Sequence, residues 1–353
     1  MVKPTRVLRQ AGAVPTASAP GRVTIIGDHT DYNAGLSLPM AIELATEVAF
    51  TPKPGSFLVG IDSDQFPGRP IEFMLGDTAP VRAEAALAAG LLRLQPPPSG
   101  GAARVTSTIP VGAGLSSSAA FSVALLLALG HDDDPLALAR DCQEAERSAG
   151  AHVGLLDPLV IAGATAGHAL SIDFDTLETR QVPVPEAAAF VIVHSEAPRL
   201  LTSTPYADRR AECERAAHIV GRPLGLCTLG DLSALQSPVL RRRARHVITE
   251  CARVREAERL LARGNLTALG AVMTEGHRSL ANDFLVSVPA VDELVDHLLA
   301  QPGVLGARLT GGGFGGCVIA LCEPDSPALD PETHAPRRSW RVSPVAGAAR
   351  LAT

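Results

Sequence analysis

The chain has 353 residues, of which 46% are hydrophobic and 19% charged. That is apolar material for two or three packed domains, and it excludes a disordered polymer. Thirty-seven acidic against thirty-one basic residues leave a net charge of −6, and aromatics make up only 3%. The chain therefore lacks both the basic footprint of a nucleic-acid binder and the stacking platform of a single-strand binder.

The first residues, MVKPTRVLRQAG, are basic with no apolar core behind them, so no export signal is read there. Residues 22–26 and 45–50 are β-branched and alternating, which predicts strands. An Ala/Leu-rich helix is predicted over 81–94, ending before the turn sequence QPPPSGG. A strand follows at 105–109, then an apolar helix over 116–129 whose leading serines suit a helix start. The apolar run at 119–129 is broken by Ser122 and is shorter than the ~20 residues of a membrane span. Helices are predicted over 135–148 and 155–163, and strands at 168–173 and 190–194. Long helices then cover 207–220, 239–262, 266–280 and 290–299, before a strand–glycine–strand unit at 306–321. Prolines 183 and 185 interrupt the pattern, dividing the chain into an N-terminal domain, 1–185, and a C-terminal domain, 186–353. The basic run at 241–245 reads as a solvated helix face. Six cysteines without CxxC or zinc spacing read as free thiols, which fits a cytoplasmic location.

Four segments carry chemistry. PVGAGLSSSAA, 110–120, places glycines before a helix start, where free N–H groups and the helix dipole favour an anion such as phosphate. No lysine follows the glycines, so it is not a P-loop, and glycine spacing alone also allows an ordinary strand-to-helix turn. GRVTIIGDHTDYN, 21–33, crowds Asp28, His29 and Asp31 at a strand end, a polar cluster suited to several hydroxyls or to a plain surface loop. RLTGGGFGGC, 308–317, is too rich in glycine for a packed element and makes either a tight hairpin or a close approach to a ligand. Asp157, in the apolar segment GLLDPLVI, needs a cation, hydrogen-bond donors or a functional role, and Arg22 is a plausible partner; a helix-capping role ahead of Pro158 is the other option.

Taken in order, these segments resemble the GHMP kinases and, within them, the galactokinase family. QEAER at 143–147 and YADRRAEC at 206–213 resemble that family more narrowly, and the likeness runs from about Ala19 to Leu321. The resemblance implies an α+β, two-domain GHMP-kinase fold with the active site in the cleft between the domains. It implies ATP-dependent phosphorylation of the anomeric hydroxyl of galactose, with ATP and Mg²⁺ and with no nucleic-acid or membrane partner; a monomer is expected. Arg22 and Asp157 would flank the reacting hydroxyl, Asp157 as base or orienter and Arg22 as charge stabiliser. Asp28, His29, Asp31, Gly154 and Tyr206 would hold the sugar. Gly112, Gly114, Ser116, Ser117 and Ser118 would cradle the phosphates, Ser118 and Glu146 would hold Mg²⁺, and the glycines at 311–313 would support the site.

The sequence also departs from the family's pattern. Thr24 stands where Asn is usual, Asp28 where Glu is, and Pro158 where Gln is. No aromatic lies in 81–90, where relatives carry an adenine-pocket pair and where Glu84 and Leu87 fall; the stretch after Cys322 is short for the family's last helix and strand. These departures keep a kinase for another monosaccharide (N-acetylgalactosamine, galacturonate or arabinose) and a non-catalytic sugar and nucleotide sensor as alternatives.

Overall fold

A computed structural model describes residues 14, 16–77, 85–131, 134–150, 154–197 and 204–351. The N-terminal basic stretch and four residues of the helix predicted over 81–94, Glu84 among them, lie outside the described residues.

Two sheets organise the chain. The first is built on β1 (Thr16–Ile26) and the long β2 (Leu36–Pro52), which run antiparallel with Arg22 opposite Ala41. Residues at alternating and then consecutive positions of β1 are buried, because both of its faces are covered. β3 (Leu58–Ser63), β4 (Ile71–Met74) and β5 (Gly101–Ser107) extend the sheet on the β2 side, with β3 parallel to β5. β6 (His168–Asp173) pairs with β2, and β7 (Thr179–Pro183) pairs with β6. The second sheet takes β8 (Ala189–His194), β9 (Val304–Thr310), β10 (Cys317–Cys322) and β11 (Ser339–Val342) in the order β11-β8-β10-β9. The last strand, β12 (Ala349–Leu351), returns to the first sheet and pairs with β1, Thr16 facing Leu351.

Helices cover the sheets. α1 (Ala86–Leu94), α2 (Ser117–Ala128), α3 (Pro135–Ser148) and α4 (Leu156–Gly163) belong to the first half, and α2 is buried nearly all round. α5 (Thr204–Val220), α6 (Pro238–Ala262), α7 (Leu266–Ser279) and α8 (Pro289–Leu299) follow β8. α3 and α6 start in the same way, with a side-chain cap from Asp134 or Ser237 and a proline at the first helical position. α2 starts differently: Ser116 sits at φ 65° and gives no side-chain cap, so the first N–H groups of the helix have none.

The structure departs from the sequence reading at three places. The segment after Cys322 holds short 3₁₀ turns at Pro327–Leu329 and Pro331–His334 and then two strands, one added to each sheet. β3 and β4 were not anticipated, because Gly60 and the Pro- and Gly-rich 67–70 break the strand pattern. The basic run on α6 is not a uniformly solvated face. Arg243 is only 2% exposed, bound to Glu212 Oε2 at 2.6 Å and lying over the Phe284 ring, since its helical position faces α5 and the turn at Leu280–Phe284.

Candidate active site

β1 delivers Arg22, and the first turn of α4 delivers Asp157. Arg22 Nε donates to Asp157 Oδ1 at 2.7 Å and Nη2 to Oδ2 at 2.8 Å, a two-point pairing that fixes both planes. The remaining guanidinium nitrogen, Nη1, donates to the Gly114 carbonyl at 2.7 Å. Arg22 is 7% exposed, whereas the Asp157 side chain is about a third exposed, so the carboxylate is the member of the pair that a substrate can reach. The Ser116 hydroxyl also donates to Asp157 Oδ2. Ser116, expected among the phosphate contacts, has a left-handed backbone and turns its hydroxyl toward Asp157.

A second group of side chains adjoins this pair. A Cβ built on Gly154 would lie 1.7 Å from Asp31 Oδ2, so only glycine lets that carboxylate occupy its position. Burial pushes Asp31 up to about 6, and the nearby Asp157 charge adds to the rise. His29, at φ 63°, is 5% exposed; its Nδ1 lies 3.0 Å from the Tyr32 hydroxyl, while Nε2 is buried with no hydrogen-bond partner. Burial and then His246 hold His29 down to about 3, so the ring is neutral and one nitrogen is available to a hydroxyl. Tyr206, in the first turn of α5, stacks at a tilt on His29 with centroids 5.5 Å apart. Its phenol is raised by burial and then by Asp31 and Asp157, which places all three in one electrostatic neighbourhood.

The glycine turn ahead of α2 forms the other wall. Gly112 and Gly114 adopt φ 76° and 81°, and a Cβ on Gly112 would meet nothing within 4 Å. Ser117 opens the helix. Ser118 hydrogen-bonds the buried Glu146 of α3, whose carboxyl is pushed up to about 7 by burial and by Asp157. The glycine cluster between β9 and β10 closes over this turn: a Cβ on Gly311 would sit 3.3 Å from Gly114 O, and one on Gly316 3.5 Å from Ala113 O. Thr24 and Thr310 exchange hydrogen bonds, tying β1 to β9.

Asp28 lies against β9 and the glycine turn that follows it. Its Oδ2 accepts Arg308 Nη2 at 2.9 Å and its Oδ1 accepts the Gly311 amide at 2.9 Å, with 4% of the residue exposed. Arg308, Glu250 and His246 surround it and Arg253 backs Glu250, four residues with no role assigned from sequence. A signal was present on α6: His246, Glu250 and Arg253 follow helical spacing beside buried Val247, Cys251 and Val254, a polar stripe within an apolar face.

Three family models match the chain in order: the galactokinase galactose-binding signature over 10–52, the GHMP kinases N terminal domain over 82–163, and the GHMP kinases C terminal over 257–330. With the two-sheet fold and the glycine turn at a helix start, they define a GHMP kinase, a class whose phosphoryl donor is ATP. The human galactokinase is 41% identical over 334 residues, covering 88% of this chain and 85% of that protein. The galactokinase of Chloroflexus aggregans is 39% identical over 340 residues, covering 89% and 86%. The crystal structure of Lactococcus lactis galactokinase complexed with galactose superposes with a TM-score of 0.89 at 28% identity, covering 97% of this chain and 96% of that one. Methanococcus jannaschii mevalonate kinase shares the fold, with a TM-score of 0.67 at 18% identity, covering 95% and 100%. This chain belongs to the galactokinase family, and it is an enzyme of that type. No helix among the described residues is long and apolar enough to cross a membrane, and Cys142, Cys213, Cys227, Cys251 and Cys322 are free thiols.

Proposed function

We propose that the enzyme transfers the γ-phosphoryl group of ATP directly to the anomeric hydroxyl of galactose, giving galactose 1-phosphate and ADP. A bond forms between the anomeric oxygen and phosphorus, and the bond from phosphorus to the β,γ-bridging oxygen breaks. The hydroxyl proton goes to Asp157 or is oriented by it as the oxygen attacks. Positioning and charge stabilisation are the main demands of this chemistry.

The observation that carries this reading is the three-way grip of Arg22, with two nitrogens on Asp157 and the third on Gly114 O. One side chain thereby joins the proposed proton acceptor to the proposed phosphate turn. His29 Nε2, Asp31 and Tyr206 would hold sugar hydroxyls, and the N–H groups of the uncapped α2 would meet the phosphates together with Ser117. Glu146 and Ser118 suit a divalent cation, since a buried carboxyl raised to about 7 has a hydroxyl partner but no basic group among its electrostatic neighbours. Mg²⁺ held there would neutralise charge on the phosphates. We also place the enzyme in the cytoplasm, which the free thiols of Cys142, Cys213, Cys227, Cys251 and Cys322 support, and expect a monomer.

The position of Asp28, engaged by Arg308 and Gly311, favours a second reading in which another monosaccharide is preferred. A panel of galactose, N-acetylgalactosamine, galacturonate and arabinose, with ATP and GTP as donors and ADP or GDP release as the signal, separates the two. Strong turnover of galactose with ATP is the expected result; weak galactose turnover beside a better sugar would replace it.

A further inference from the structure

β3 and β5 are the one parallel pair among the described strands, with Ser63 opposite Val105. Parallel neighbours end on the same side of a sheet, and where the chain leaves them in different directions a crevice opens outside their carboxyl ends. β5 runs on through Ile109 into the glycine turn ahead of α2, while β3 runs into a tight turn that leads to β4. The two exits are fastened together. The Asp64 amide donates to Val105 O at 3.1 Å, and the Ser107 amide donates to both Asp64 carboxylate oxygens at 3.2 Å. Gln65 Nε2 donates to Ile109 O at 2.6 Å and to Ser107 O at 3.3 Å.

Phe66 follows directly on this clip. Its amide donates to Ser63 O and its carbonyl accepts the Arg69 amide, both at 3.2 Å, so its backbone is tied on either side. The residue is nonetheless 52% exposed. Val111, two residues beyond Ile109 and within the glycine turn, is 54% exposed. An aromatic and a branched aliphatic side chain are thus left open beside the proposed phosphate turn, on backbone that is firmly held. Phe121 of α2 and Phe314 of the glycine cluster pack against the two cores, and residues 75–120 hold no aromatic. A nucleotide whose phosphates lie on the α2 turn also presents a flat base, and an aromatic face with an apolar neighbour is the surface that covers it best.

We propose that Phe66 is the platform on which the adenine base of the nucleotide stacks, with Val111 beside it. The proposal rests on the kinase reading above and names the residue that holds the donor's base. Phe66 takes no part in the transfer itself; it contributes affinity for the donor, and galactose binding does not depend on it.

The test compares wild type with Phe66→Ala, Phe66→Trp and Phe57→Ala. Phe57 is 69% exposed but precedes Leu58 at the amino end of β3, away from the crevice, so its variant controls for loss of an exposed ring. Calorimetry reads the Kd for ADP and, separately, for galactose. Phe66→Ala is expected to raise the ADP Kd, and the KM for ATP with it, by about fivefold or more, the range of base–aromatic stacking, with galactose Kd changed less than about twofold. Phe57→Ala should match wild type in all three. Phe66→Trp should keep ADP affinity within about threefold. ADP should quench the added indole emission in that variant, measured against wild type, whose one tryptophan is Trp340 on β11. An unchanged ADP Kd in Phe66→Ala, an equal loss in Phe57→Ala, or an indole insensitive to ADP overturns the proposal. Thermal melts establish that each variant is folded. If Phe66→Ala is not, Phe66→Leu, which keeps apolar bulk without the ring, is held to the same loss of ADP affinity. Wild type that binds ADP while Phe66→Ala binds it equally well leaves the kinase reading standing; wild type that binds no ADP removes both.

Discussion

Gly154 and Asp31 are in such close register that a single added methyl at position 154 would lie 1.7 Å from Asp31 Oδ2. The carboxylate proposed to face the sugar therefore keeps its place because its neighbour has no side chain. Gly154→Ala is expected to push Asp31 out of position and to raise the KM for galactose by about tenfold or more, with a much smaller effect on the KM for ATP. Steady-state kinetics with each substrate varied would check this, and equal changes in both constants would contradict it.

Asp157 reaches solvent while Arg22 does not. Asp157→Asn preserves size but removes the charge that two guanidinium nitrogens grip. The expected result is a drop in kcat on the order of 10²–10⁴, the range of general acid–base contributions, with galactose Kd changed only a few-fold. Rapid-quench measurement of the first turnover, alongside calorimetry, reads both quantities. Undiminished turnover would remove Asp157 from the proton-handling role.

Ser116 combines a left-handed backbone with a hydroxyl donated to Asp157. Both Ser116→Ala and Ser116→Gly lose that hydroxyl, and a hydrogen bond to a charged group is worth about 1.5–3 kcal/mol, so each should lose about tenfold or more in kcat. Their stabilities should differ, because alanine resists φ 65° and glycine does not. Denaturant unfolding should find the glycine variant more stable by about 1 kcal/mol.

Burial, with Asp157 adding, raises Glu146 from 4.5 in an unstructured chain to about 7 in the folded protein. Between those values the folded state holds a proton that the unfolded state has released. Its stabilising effect is therefore complete below about pH 4.5 and is lost as pH rises through about 7. At about 1.4 kcal/mol per unit, the difference is on the order of 3 kcal/mol. Ligand-free Glu146→Gln should melt less steeply with rising pH and should exceed wild type at pH 8, leaving the same-direction slopes of Asp28 and Asp31, both raised to about 6 mainly by burial. The variant should also need more Mg²⁺ for half-maximal turnover. A wild-type-like melting profile would contradict the assignment.

The parts of this enzyme written as local pattern were readable in its sequence. α3, Pro135–Ser148, and β6, His168–Asp173, fall where capping and alternation put them, because side-chain periodicity is a property of neighbours along the chain. Arg22 was one candidate partner for an acid in an apolar segment, and the family resemblance rather than the acid's cost put the two side by side across 135 residues. The orientation of Asp28 could not be read in that way. Asp28 next to His29 looks like a sugar-facing pair, and only the placement of β9 against the end of β1 reveals that Arg308 claims it. The hydroxyl of Ser116 was hidden for a related reason: its motif locates the turn, but the sign of one φ angle decides which way the hydroxyl points. β4 was illegible because it is short and follows the Pro- and Gly-rich 67–70, and β12 because it is short and takes its shape from a partner strand distant in sequence.

The pairing of β12 with β1 has a consequence for biosynthesis. Of the described strands β1 leaves the ribosome first and β12 last, so the edge of Thr16–Ser18 that β12 covers has no such partner throughout translation of everything between. An uncovered strand flank invites pairing with another nascent chain. Solubility during expression should therefore depend on the arrival of Ala349, Arg350 and Leu351, a tripeptide with no part in the chemistry.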